Sequence, residues 1–484
     1  MVCVSSHCIL LLIVLSTLTP ASVALKFLAF SPMFFRSHSN FLGKLSDTLI
    51  DAGHEVVMLV PIVNKKMGTI GSEKARVITV PQSEESLAFE RKMEQDEAYK
   101  QNNWHPESPL KLISLMFETM NIFLESCNST LRHPGLIEQL REERFDASFG
   151  EVMFPCYFPL VHLAGIEKFA LTQSVVALDG MFEMSGAPAF PSYVPGMISP
   201  SSDRMSFFER MANAVSHVAS KALLFGLSIR TFEGHLSEWR PGMPSYAEMA
   251  ANTSLVFMNA EPLIDFPKVT THKLIDIGGI SVPSGYNALN ETWNEILSLR
   301  PKNVLMSFGT IHKSSHMPNE YKESIRAAFS RFPDVTFIWK YEEPEDDIGK
   351  GVPNIVTGKW LPQNDLLHDP RLTLFITHCG AGSTIESTVS GVPLIVVPIH
   401  GDQWRNAQTV KRLGTGVIIE KKQLSTPDAL VHAIQTLFDE PKYAEAAKRT
   451  AAMLASRPFS MKEIFVRNME FLAKFGPLRN LDHY

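Results

Sequence analysis

The chain has 484 residues, 45% of them hydrophobic and 20% charged, with a formal net charge of −6. That length accommodates two domains with large interiors, and the balance is that of a globular protein. No basic stripe stands out, so nucleic acid is excluded as an expected partner.

Residues 1–24 read as a secretory signal peptide. Residues 9–18 are apolar, and Ser22, Val23 and Ala24 place small residues at the cleavage spacing. A buried N-terminal helix is the competing reading, and the strand that begins at Lys26 argues against it. Cys3 and Cys8 would leave with the signal. Cys127, Cys156 and Cys379 remain, enough for one disulfide at most. Sequons at Asn128, Asn252 and Asn290 are then candidate glycan sites. No later stretch offers the roughly 20 unbroken apolar residues of a membrane span.

"KFLAFSP", residues 26–32, predicts a buried strand. Leu42, Leu45 and Leu49 recur at helical spacing, Gly53 stops that helix, and residues 56–60 predict a second strand. Strand, helix and strand on short links imply a parallel sheet. Residues 108–143 have a helical pattern, and strands are expected at 146–149 and 169–171. Residues 186–202, rich in Pro, Gly and Ser, predict a long loop, followed by a helical stretch at 205–236. Residues 254–260 and 272–279 look like the last strands of a first domain.

Residues 282–302 are polar and Pro-flanked and read as the interdomain connection. Beyond them the alternation restarts, with strands expected at 304–308, 335–339, 374–377 and 394–397. From Thr426 onward the pattern is mostly helical. The acidic run at 342–351 reads as a solvated loop, because ligand spacing for a metal is not evident.

"FITHCGAGSTIE", residues 375–386, is the stretch most specific in its chemistry. An apolar strand ends in His378 and Cys379, and a helix is expected from about Ala381 to Gly391. At the carboxyl edge of a parallel sheet, that turn is a ligand site. Unpaired helix N–H groups and glycines suit a phosphate. Ser383, Thr384 and His378 can add hydrogen bonds. Glu386 lies on the same helix face, where a carboxylate suits vicinal hydroxyls, so the pair of features points to a nucleotide with its ribose. Trp360 could stack on the base, worth about 1–3 kcal/mol. Asp402 and Gln403 follow the next strand and suit sugar hydroxyls. A Cys379–His378 nucleophile fits poorly, since adjacent residues on an extended turn point apart. No second Cys/His cluster completes a zinc site.

Residues 375–403, "FITHCGAGSTIESTVSGVPLIVVPIHGDQ", resemble the signature of the UDP-glycosyltransferases, with "WLPQNDLLHDP" before it and "NAQ" after it. "AFSP", "SHSNFLGKLSDTLIDAGHEV" and "SFGT" are similar to the animal branch, the UDP-glucuronosyltransferases and UDP-glucosyltransferases. The resemblance spans nearly the whole chain. It implies an α/β GT-B fold, two Rossmann-like parallel-sheet domains facing across a cleft. Residues 25–285 would bind the acceptor and 286–458 the UDP-sugar, while 459–484 would return as a helix toward the first domain. It also implies inverting transfer of glucuronate or glucose to a hydroxyl of a small lipophilic acceptor, with no metal and no cofactor beyond the donor.

By position, the resemblance puts Trp360 against uracil and Gln363 and Glu386 on ribose. His378, Gly380, Ser383 and Thr384 would hold the diphosphate, with Ser307 and Thr310 nearby, and Asp402 and Gln403 would read the sugar. His38 would be the catalytic base, with Glu151 of "EVMFPC" in the place of the family's partner Asp. Gly382 stands where many members have Asn. Met258 falls near an Arg of vertebrate glucuronosyltransferases, which makes UDP-glucose a competitor to UDP-glucuronate. Members end in a transmembrane helix and a basic tail, and neither is read here. The expectation is a protein of the endoplasmic reticulum lumen, acting in detoxification, or a secreted or incomplete form. A homo-oligomer is left open. A UDP-sugar epimerase on the same fold and a non-catalytic UDP-sugar or lipophile carrier are the alternative functions.

Overall fold

Short apolar runs buried on both faces become parallel strands. The computed structural model describes residues 24–66, 68–96, 104, 109–175, 186–196, 199–283 and 285–482. Seven strands form the first sheet: β1 Lys26–Phe30, β2 Glu55–Pro61, β3 Arg76–Val80, β4 Ala147–Glu151, β5 Phe169–Gln173, β6 Leu255–Met258 and β7 Leu274–Asp276. Six form the second: β8 Lys302–Ser307, β9 Val335–Lys340, β10 Ile355–Gly358, β11 Leu372–Thr377, β12 Leu394–Val396 and β13 Gly416–Ile418. The orders are β3-β2-β1-β4-β5-β6-β7 and β10-β9-β8-β11-β12-β13, and every pairing is parallel. The expected signal peptide, with Cys3 and Cys8, lies outside the described residues.

Each sheet has one switch point, between β1 and β4 and between β8 and β11, where a crevice opens at the carboxyl ends. His38 follows β1, and Glu151 closes β4. Ser307 closes β8 opposite its register partner Thr377, which closes β11. The chemistry-bearing residues therefore collect at two sheet edges.

The unpredicted strands β3 and β13 lie at sheet edges. β3 is only partly buried and β13 has three residues, so neither carries the apolar run of a central strand. Residues 282–302 are not all connection. Asn290 caps the helix Glu291–Ser298, its side chain accepting from the Trp293 N–H at 3.1 Å, and Leu297 packs in one cluster with Leu305 of β8. That helix is polar because it buries one narrow face. The helical stretch at 108–143 is two helices, Pro109–Leu131 and Leu136–Glu142, parted at Gly135, which takes φ 72. Cys127 and Cys156 form a disulfide.

The helix Met461–Phe475 returns to the first domain. Phe465, Met469 and Leu472 are buried there, with Phe465 5.7 Å from Phe149 and 4.9 Å from Phe257 between ring centroids. Burial of each such side chain contributes about 1.5–3 kcal/mol. Other ties cross the cleft. Asp265 pairs with Arg405 at 2.5 Å, Asp203 with Arg412 at 3.0 Å and Glu261 with Arg457. Trp104 is buried in the second domain, edge-on to Phe308, and donates to the Lys313 carbonyl at 3.1 Å. No helix of the described residues is long and apolar enough to cross a membrane.

Candidate active site

β11 passes through His378, Cys379 and Gly380 into the helix Ala381–Ser390. Cys379 takes φ 66, a left-handed conformation rare for residues with a side chain. The turn is held from both sides. The Asn406 amide donates to the Cys379 carbonyl at 3.0 Å, and the Thr384 hydroxyl to the Gly380 carbonyl at 2.9 Å. Gly380 caps the helix without a side chain, so its first N–H groups are open to an anion. A Cβ on Gly382 would meet nothing within 4 Å, which leaves the space beside the tip clear.

His378 stands between the ends of β8 and β11. A Cβ on Gly309 would come within 2.9 Å of its Nε2, and one on Gly380 within 2.7 Å. Only glycines admit the imidazole there. Burial, His400 and Lys340 push it down to about 3, so it is neutral at pH 7. Cys379 is buried, and burial pushes its thiol up to about 12. That disqualifies it as a nucleophile near neutral pH.

Gln363 and Glu386 meet directly. The Gln363 amide donates to Glu386 Oε2 at 2.6 Å and to Ser383 Oγ at 3.3 Å. Burial raises the Glu386 carboxyl above its usual value, and Gln363 pulls it partly back. Trp360 is 62% exposed, but Arg36 of the first domain lies over its ring, 5.3 Å from the centroid. Ser307 is buried and accepts from the Gly309 N–H at 3.4 Å, while Thr310 is exposed on the same loop.

Asp402 and Gln403 part company. Asp402 accepts from the Asn406 amide at 2.7 Å. Burial raises its carboxyl, and the Asn406 amide and then His38 pull it back. Gln403 is buried and turned into its own loop, its Oε1 accepting from the N–H groups of Ile399 and His400 at 2.8 and 3.1 Å. Those N–H groups need an acceptor, and Gln403 supplies it instead of facing the crevice. Thr384 is likewise committed to its turn.

In the first domain His38 occupies the first turn of the helix Arg36–Asp51 and is buried. Its Nδ1 lies 2.5 Å from Ser174 Oγ and 3.4 Å from Glu151 Oε2. The same carboxylate oxygen accepts from the Ser174 N–H at 3.2 Å. Glu151 is fully buried, and its Oε1 has no hydrogen-bond partner among the described residues. A carboxylate can only accept, so the proton of the ring belongs on Nδ1 and Nε2 is the basic nitrogen.

Residues 30–479 match the family described as UDP-glucoronosyl and UDP-glucosyl transferase. The chain belongs to that family. Among its relatives, Caenorhabditis elegans ugt-48, which carries a UDP-glucuronosyltransferase name, is 29% identical over 470 residues, covering 95% of this chain and 88% of that protein. Rattus norvegicus UDP-glucuronosyltransferase 1A8 is 27% identical over 448 residues, or 90% of this chain and 81% of that one. The solved structure of the glycotransferase of kitacinnamycin superposes with a TM-score of 0.63 at 20% identity, over 93% of this chain and 99% of that one. Spinosyn forosaminyltransferase SpnP gives 0.61 at 17%, over 94% and 100%. Such low identity speaks for the fold alone, which is GT-B. Family and fold together make the protein a UDP-sugar glycosyltransferase.

Three residues that the spacing did not single out complete this glycosyltransferase site. Ser174 follows Thr172 and Gln173, a polar end to a buried strand, which is the signal that marks it. Lys340 closes the otherwise apolar β9, and its ammonium holds the Gly309 carbonyl at 3.0 Å and Glu342 at 2.6 Å. Asn406 braces both Cys379 and Asp402. A small pocket adjoins the helix tip, with walls that include Ala381, Thr384, Asn259, Glu261, Arg405 and Asn406. Residues 97–103, 105–108 and 176–185 of the predicted acceptor domain lie outside the described residues.

Proposed function

We propose that the enzyme transfers a hexose from UDP-glucose or UDP-glucuronate to the hydroxyl of a small lipophilic acceptor, with inversion at the anomeric carbon. The observation that carries this reading is the His38–Ser174–Glu151 cluster at the switch point of the first sheet, paired with the open helix tip at Ala381 at the switch point of the second. His38 Nε2 takes the acceptor's hydroxyl proton as its oxygen bonds to the anomeric carbon. The bond from that carbon to the diphosphate breaks on the opposite side, and its electron pair leaves with UDP. The helix tip at Ala381 and the neutral His378 receive that charge. Glu386 and Gln363 exchange their mutual bond for the ribose hydroxyls, and Asp402 accepts from the sugar.

Met258, in the place where an acid-sugar Arg was considered, is buried in the first-domain core and offers no cation. This favours the neutral donor, UDP-glucose. The Cys127–Cys156 disulfide fits an oxidising compartment, which supports a lumenal or secreted protein and glycans on the sequons. Incubation with UDP-glucose, UDP-glucuronate and a phenol panel tests the reading. Conjugates seen by mass, β-linked from an α-linked donor, support it. Sugar interconversion without an acceptor indicates an epimerase, and binding without chemistry a carrier.

A further inference from the structure

Three histidines sit behind the donor cradle on three separate strand exits: His312 after β8, His378 after β11 and His400 after β12. His312 is 2% exposed. Its ring centroid lies 4.4 Å from that of His400 and 5.6 Å from that of His378. The hydrogen bonds assign the protons. Gln403 uses Oε1 on two backbone N–H groups, so the end facing His400 is its NH₂, 3.2 Å from Nδ1. His400 Nδ1 is therefore an acceptor. His312 Nε2 lies 3.1 Å from that same nitrogen and must donate to it. The remaining nitrogen, His312 Nδ1, is a bare lone pair, buried without a hydrogen-bond partner among the described residues. An acceptor left so carries a desolvation cost with nothing to offset it.

We propose that His312 is a second proton acceptor of the donor site, the buried residue that gains a proton from solvent when the diphosphate of a sugar nucleotide fills the cradle. This rests on the transferase reading above. Protonation at Nδ1 breaks no existing hydrogen bond, whereas protonating His400 Nδ1 would break two. The groups facing His312 are His400, His378 and Lys421. His378 also faces Lys340, whose ammonium is paired with Glu342. In the free protein, burial and these neighbours keep all three rings neutral, with His400 at about 4 and His312 well below its usual range. The two negative charges of a diphosphate oppose Lys421 and Lys340 and reverse that preference. The resulting cation then stands behind the phosphates as UDP departs.

The test is calorimetry of UDP-glucose binding in buffers of different ionisation heat, between about pH 5 and about pH 8. A UDP-sugar suits it because both ends of its diphosphate are esterified and neither titrates in that range. The expected result is net proton uptake, with affinity rising toward low pH by at most about tenfold per pH unit. His312→Gln keeps a donor for His400 but cannot take up the proton, so its affinity should be flat with pH. Nitrogen NMR of the wild-type imidazoles reads the same event without a variant, as His312 Nδ1 moving to the protonated range on binding. Binding without proton uptake at any pH, or uptake retained in His312→Gln, overturns this proposal alone. Failure of both UDP-glucose and UDP-glucuronate to bind overturns it together with the transferase reading.

Discussion

Ser174 Oγ lies 2.5 Å from His38 Nδ1, nearer than the carboxylate of Glu151, which stands at 3.4 Å. The ring is thus steered by a hydroxyl that the carboxylate holds in turn through the Ser174 backbone. Ser174→Ala should lower kcat about five- to tenfold, the worth of one net hydrogen bond, and leave the Kd for UDP unchanged. Glu151→Ala should cost more, and the double variant little beyond that, because the two act as one unit. Steady-state kinetics beside UDP titrations check both. Equal losses in kcat and in UDP affinity would mean that Ser174 only supports the fold.

Glu386 is held by Gln363 in the free protein. If both release each other for the ribose, Glu386→Ala should raise the Kd for UDP about ten- to a hundredfold, the loss of charge-assisted hydrogen bonds. Titration with UDP and with uracil alone separates ribose recognition from base recognition. An unchanged UDP affinity would remove Glu386 from the donor site.

Arg36 lies over the ring of Trp360, 5.3 Å from the centroid, on the residue proposed to stack on the base. Its cation–π contact is worth about 0.5–1 kcal/mol at an exposed site, which uracil must displace. Arg36→Ala should therefore tighten UDP binding about two- to fivefold, and Trp360→Ala should weaken it. Both shifts are measurable by calorimetry.

The central strands and the donor turn were legible in the sequence because they are runs with one meaning: an apolar strand, then His378 to Gly380, then a helix. Two of the edge strands were not: β3 and β13 bury too little to leave an apolar run. Glu291–Ser298 likewise reads as a linker because its exposed face is polar. At the site, position along the chain told which residues approach the crevice but not where their hydrogen bonds go. Gln403 illustrates the limit: next to Asp402 in sequence, it is spent on its own loop. Ser174 shows the converse, since only the polar end of an otherwise buried strand marks it.

Asp265 pairs with Arg405 across the domains. Burial alone would raise its carboxyl, but Arg405 and Lys268 outweigh burial and hold it at about 2, against 3.8. A depressed carboxylate stabilises the fold above the unfolded value, and that gain is lost as pH falls toward the folded one. It should be worth about 2 kcal/mol at pH 5 and vanish near pH 2. Urea unfolding of the wild type and Asp265→Asn across that window should show their difference shrinking as pH drops. A constant difference would contradict the ion pair's role.

The central claim is that His38 takes the acceptor's proton while the second domain alone holds the donor. His38→Ala assayed for both conjugate formation and UDP binding tests it most directly. The account predicts transfer reduced by about 10²–10⁴, with UDP still raising the melting temperature as in the wild type. Full transfer by His38→Ala would contradict it.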